Sequence, residues 1–171
     1  MQRMDDATFI AWLAEAGITG AEPKSGRTWL YFGAAQDATR TWEAPDAGEA
    51  RDAWLAAVVR AASAGGPWWL WPRGGGGWYG GFASAEGIAA AAGAAGVPRD
   101  FGGALGFGAD ETEPMMGLLR AFAAWPWNGG DDVYLVPADQ SCVVMLCHDE
   151  EIHVFAPDRE RLRTFGEDVR M

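Results

Sequence analysis

The sequence predicts an α+β protein, a mostly antiparallel sheet packed with about four helices and ending in a three-stranded meander. Three observations point there. Helical segments alternate with single strand-like runs over the first 124 residues. The stretch "DDVYLVPADQSCVVMLCHDEEIHVFAPD" then holds three apolar runs joined by short polar links. No repeat and no long linker divides the chain, so residues 1–171 are expected to form one α+β domain, a length within the usual single-domain range. Apolar residues make up 49% of the chain, enough to fill a large core despite its 24 glycines.

"DDATFIAWLAEAG" reads as a first helix, capped by Asp5 or Asp6, with Phe9, Ile10, Leu13 and Ala16 on one stripe and Gly17 at its end. "RTWLYF", residues 27–32, reads as a strand. "APDAGEARDAWLAAVVRAASAGG" is the clearest helix. Asp46 and Glu49 have capping-box spacing, and Ala50, Trp54, Ala57, Val58 and Ala61 share a face. "PWWLWP" fits a short strand between two prolines. Trp69 and Trp71 share one face and Trp68 and Leu70 the other, so both faces are apolar, as in a central strand. "SAEGIAAAAGAAG" is an alanine-rich helix starting near Ser84, and "GALGF" a short strand. "DETEPMMGLLRAFAAW" is a helix with Asp110 and Glu113 at its cap, Pro114 in its first turn, and Met115, Leu118, Leu119 and Phe122 as its stripe. Strands at 133–136, 142–147 and 152–155 follow, then a last short helix from Asp158.

Charge narrows the function. The net charge is −11, and Lys24 is the single lysine. The densest basic run, "RERLR" at 159–163, lies among Asp158, Glu160, Glu167 and Asp168. Binding to nucleic acid needs clustered basic groups, so DNA and RNA are not expected partners, whereas a basic protein is. No apolar run approaches the roughly 18 residues of a membrane span, and "MQRMDDATF" lacks a signal-peptide core. Cys142 and Cys147 are five apart, without C-x-x-C spacing. Free thiols suit a reducing compartment, so the expectation is a soluble cytoplasmic protein.

Two segments carry candidate chemistry. "GGPWWLWPRGGGGWYGG" is no phosphate loop, because no lysine follows its glycines, and Trp78 and Tyr79 would crowd a dinucleotide. Gly74 to Gly77 are expected to form a mobile surface loop, with Arg73, Trp78 and Tyr79 as contact residues for a partner. Burial of those rings in the protein's own core is the alternative. "CHDEEIH" gathers both histidines, His148 and His153, with Asp149, Glu150 and Glu151. A hairpin pairing Cys147 with Ile152 would set His148 across from Glu151 and His153 across from Leu146. His148, Glu151 and His153 would then share one face, and Val143, Met145, Cys147, Ile152 and Val154 the core face. Two histidines and a carboxylate can hold zinc or iron. A Cys–His nucleophile is disfavoured, because Cys147 and His148 would point to opposite faces.

The run "GVPRDFGGALGF", the helix after it, the meander and the upstream "WPRGG" resemble small, uncharacterised proteins of high-GC bacteria. That resemblance implies no activity. A small, acidic, tryptophan-rich chain without a catalytic constellation is also similar in type to bacterial toxin-immunity proteins. Two functions are expected from these readings. The first is a non-enzymatic cytoplasmic protein that masks a basic partner, such as a toxin, with an acidic and aromatic surface. The alternative is a small metal-dependent enzyme or sensor that uses His148, Glu151 and His153.

Overall fold

The computed structural model describes residues 1–21, 29–33, 38–63, 66–73, 77–79, 85–124 and 132–169. The elements are β1 (Gln2–Met4), α1 (Asp6–Glu15), β2 (Ile18–Ala21), β3 (Trp29–Phe32), β4 (Thr39–Glu43), α2 (Glu49–Ala62) and β5 (Trp68–Arg73). They continue with α3 (Ala85–Ala94), β6 (Ala104–Phe107), α4 (Thr112–Ala123), β7 (Asp132–Pro137), β8 (Val143–Cys147), β9 (Glu151–Phe155) and α5 (Arg159–Val169). Short 3-10 turns span Gly77–Tyr79 and Ala109–Glu111.

Seven strands form one sheet in the order β1-β6-β5-β7-β8-β9-β4, and β2 pairs with β3 apart from it. Every pair is antiparallel. The apolar composition of both faces of the central strands requires cover on both sides, and the chain supplies it. Trp68, Leu70, Leu105, Leu135, Val144 and Ile152 pack under α2, α3, α4 and α5. Trp69, Trp71, Tyr134, Val136, Val143 and Met145 pack with Phe9 and Leu13 of α1 and with Ile18, Leu30 and Phe32 of the β2–β3 pair. The result is three layers: four helices, the sheet, then α1 with the small hairpin.

The expected mixed α/β architecture, with β7, β8 and β9 adjacent, is present. Strand "PWWLWP" is internal, paired with β6 on one side and β7 on the other. Asp5 caps α1 by accepting from Thr8 N at 2.8 Å. Ile10 leaves the expected stripe and is 43% exposed, whereas Phe9 and Leu13 are buried. The Asp46–Glu49 box does not form. The N-cap of α2 is Gly48, whose φ of +116° suits glycine and leaves no side chain to cap. The Asp110–Glu113 cap does not form at α4 either: its N-cap is Glu111, without a side-chain cap bond, and Glu111 Oε2 instead accepts from Gly108 N at 3.0 Å at the start of the preceding 3-10 turn. Strands β1, β2 and β4 went unforeseen. All three are three to five residues long, and β4 is mostly exposed, so none shows a clean apolar period.

Candidate functional site

The chemistry gathers where β7, β8, β9 and β4 run side by side. Register pairs Cys147 with Glu151 and Glu151 with Glu43. Val133 pairs with Leu146, so Asp132, one residue earlier, stands across from Cys147. Asp132, Cys147, Glu151 and Glu43 therefore form one row across four strands, next to the row of Tyr134, Met145, His153 and Thr41.

The turn that builds this row differs from the expected one by a residue. Cys147 pairs with Glu151, not with Ile152. The link is thus His148, Asp149 and Glu150, with Glu150 N donating to Cys147 O at 3.2 Å and Glu150 at φ +63°. Three-residue hairpin links commonly end in such a left-handed residue. A one-residue slip flips a strand's side chains to the other face. Cys147 consequently shares a face with Glu151 and His153, while Ile152 and Val154 turn to the helix layer. His148 leaves the sheet altogether. The expected set of His148, Glu151 and His153 is thereby divided, and the expectation that Cys147 is buried on the opposite face is overturned.

Each histidine has its own partners. His153 Nδ1 is 3.0 Å from Thr41 Oγ1, and its Nε2 is 3.4 Å from Glu151 Oε2. Burial holds the His153 imidazole below its ordinary range, against the opposing pull of Glu151, Asp132 and Asp149. His148 Nδ1 lies 2.8 Å from Asp132 Oδ1, and the same oxygen accepts from the His148 backbone N at 3.3 Å. Asp132 is only 5% exposed, so its carboxylate depends on these partners. His148 Nε2 is 3.6 Å from Asp149 Oδ1. Cys147 Sγ lies 3.7 Å from His148 Nδ1, and burial together with the nearby acids pushes its thiol up to about 12. Sulfur and Asp132 both approach the same ring nitrogen. A nucleophilic triad needs them on opposite nitrogens, and a deprotonated thiol besides.

Sequence reasoning located His148 but missed Asp132 and Cys147. Among the described residues, Asp132, Cys147 and His148 bring one donor atom each to within 4.8 Å of one another. The only signal that could have found Asp132 was its place at the head of the strand next to the "CHDEE" hairpin.

The aromatic candidates fare differently. Trp78 is fully buried, donates Nε1–H to Gly103 O at 2.8 Å and meets the Phe122 ring edge-on at 6.0 Å. It is a core residue, because the 3-10 turn carries its indole under α4, and the contact role expected for it is overturned. Tyr79 is half-buried and donates its hydroxyl to Val97 O. Arg73 ends β5 at the register position of Asp132; its side chain, and Gly74 to Gly76 of the expected loop, lie outside the described residues. A cleft of about 510 Å3 opens at the other end of the sheet, beside Trp69, Gly106 and Glu111. The Met1 amino group and Glu111 pair with each other there. Among the described residues, no helix is long and apolar enough to cross a membrane.

The chain matches no protein-family model, no curated protein and no solved structure.

Proposed function

We propose that the chain is a non-enzymatic binding protein that works in the cytoplasm and masks a basic protein partner, as toxin-immunity proteins do. The observation that carries this reading is the like-charge pair Glu43 and Glu151, set directly opposite each other across β4 and β9. Like charges in that position destabilise a sheet, so the pair contributes nothing to folding and is free to serve a partner. Exposed Asp149 and Glu150 extend the same acidic corner, although Arg51 pairs with Glu150 at 3.0 Å. With a net charge of −11, this surface would steer and orient a cationic partner. β4 is also one of the two outer strands of the sheet, β1 being the other, and outer strands accept a further strand from a partner. Trp42 of β4 is half-buried on the opposite face, beside Phe165 of α5 at 5.6 Å between ring centres, so this corner offers acidic groups and not an aromatic platform. Nucleic acid and membrane surfaces, both anionic, are not partners on this reading.

The test is capture from an extract of the source organism on immobilised wild-type protein and on the triple variant Glu43→Gln/Asp149→Asn/Glu151→Gln. The expected result is a basic protein retained by the wild type, eluted by salt and held at least about tenfold less by the variant, as lost complementary charge requires. Equal retention by the variant, or an acidic partner, would overturn the reading.

A further inference from the structure

We propose that Asp132, Cys147 and His148 form a binding site for one divalent metal ion of borderline softness, zinc in the first instance. The proposal goes beyond the masking of a partner and does not depend on it. The donor set is carboxylate, thiolate and imidazole, each a regular zinc ligand. With metal–ligand bonds of about 2.0–2.3 Å, tetrahedral coordination sets nitrogen and oxygen donors about 3.3 Å apart and nitrogen and sulfur about 3.5 Å apart. The Asp132 Oδ1–His148 Nδ1 separation is 2.8 Å, and the Cys147 Sγ–His148 Nδ1 separation is 3.7 Å. Each is within about half an ångström of the coordinated value. The three side chains are already clustered by backbone that has no freedom to spread: β7 and β8 are paired, and His148 follows Cys147 directly.

The surroundings fit a cation as well. Zinc would bind His148 through Nδ1, which leaves Nε2 for Asp149, whose Oδ1 is 3.6 Å away and would close to hydrogen-bond distance by a small side-chain shift, its Oδ2 lying 3.8 Å from Cys147 Sγ. A carboxylate behind a metal-bound imidazole is the usual outer support of such sites, fixing the ring and its tautomer. Glu151 and Glu43 extend the row of Cys147 and add negative charge to the same end of the sheet. Binding breaks the Cys147 S–H bond, forms a metal–sulfur bond and releases that proton to solvent. The proton on Nδ1 is also given up to solvent and Nε2 carries the ring N–H, so the ion replaces the Asp132–His148 hydrogen bond with two coordinate bonds. Three protein donors leave a fourth position for water or for a donor from a bound molecule.

The experiment is a titration of purified full-length protein, kept reduced by a phosphine, with zinc in competition with a colorimetric chelator, and with cobalt followed by its thiolate charge-transfer absorption. One equivalent should bind, with the cobalt–thiolate band present. Cys147→Ser should abolish the band and stoichiometric binding, and because Cys147 is half-exposed this variant keeps the test open should Asp132→Asn fail to fold. Asp149→Asn should weaken binding about 10- to 100-fold, the usual effect of removing an outer carboxylate. His153→Gln should leave affinity unchanged. Absence of stoichiometric uptake by the wild type, or uptake indifferent to Cys147→Ser, would overturn the proposal.

Discussion

Trp78 shows how a residue's neighbours in sequence mislead about its neighbours in space. Flanking glycines indicated a loop, yet the indole is fully enclosed and its N–H is satisfied by Gly103 O. Glycine-rich flanks let the backbone turn tightly enough to drive the ring inward, which the sequence could not distinguish from turning it outward. Trp78→Ala should cost about 3–5 kcal/mol in denaturant unfolding, the usual range for a buried aromatic. A loss below about 1 kcal/mol would show that the ring is not in the core. His153 gives the pH prediction. Its folded-state pKa lies below the ordinary value near 6.5, chiefly through burial. The unfolded chain therefore binds this proton more readily, and the stability linked to neutral His153 is present above about 6.5 and is lost as pH falls through the lower folded value. Unfolding at a series of pH values should show that loss, and His153→Gln should reduce it. NMR titration of His153 with a midpoint above 6.5 would reverse the sign.

At the scale of elements, arginines from one helix finish the ends of another. Arg161 of α5 donates through Nη2 to Ala61 O and Ala62 O at the C-terminus of α2, at 2.9 and 2.8 Å. Arg51 of α2 donates through Nη1 to Ala123 O at the end of α4, at 2.7 Å. Terminal helix carbonyls lack partners within the helix, so both arginines join packing to capping. Arg161→Met should cost roughly 1–3 kcal/mol, the penalty for buried carbonyls left unbonded, read by denaturant unfolding. An unchanged midpoint would deny the clamp. Gly103 answers a different demand. A Cβ there would stand 2.2 Å from Met4 O and 2.9 Å from Asp5 Cα, both backbone atoms. Gly103→Ala should therefore separate β1 from β6 and cost about 1–3 kcal/mol, with faster amide exchange at residues 2–4. Slow exchange there in the variant would contradict this.

The same scale explains what could be read in advance. The α4 stripe of Met115, Leu118, Leu119 and Phe122 was legible because that side of the helix is buried against the core while Glu113 and Pro114 are exposed. The β8–β9 register was not. Val143 to Met145 are fully enclosed and Leu146 nearly so, which erases the alternation that would fix their facing. The left-handed position of the turn is taken by Glu150, where glycine or asparagine would have announced it. Ala44 N donating to Glu150 O at 2.8 Å, and Arg51 pairing with its carboxylate, hold that conformation from outside the hairpin. One residue of slip was enough to divide the expected metal set and to bring Cys147 to the face of Glu151 and His153.

Across the whole molecule, a sheet covered on both faces leaves its ends and its outer strands as the places where chemistry can meet solvent. The class of fold was readable from the sequence because the order of apolar runs survives even where their periods do not. The separate β2–β3 pair and the outer position of β4 were not readable, since both arise from pairings distant in sequence, such as Thr41 with His153. The outer β4–β9 corner is where like charges and an outer strand coincide, with the three clustered donors further in, on β7, β8 and the turn after it. The most direct measurement of that surface is amide hydrogen–deuterium exchange of the protein alone and with any basic protein that the capture experiment retains. Protection concentrated at residues 39–43 and 149–153 is the expected result. Protection confined to α5, or to α1 and the β2–β3 pair, with the β4–β9 corner unchanged, would contradict it.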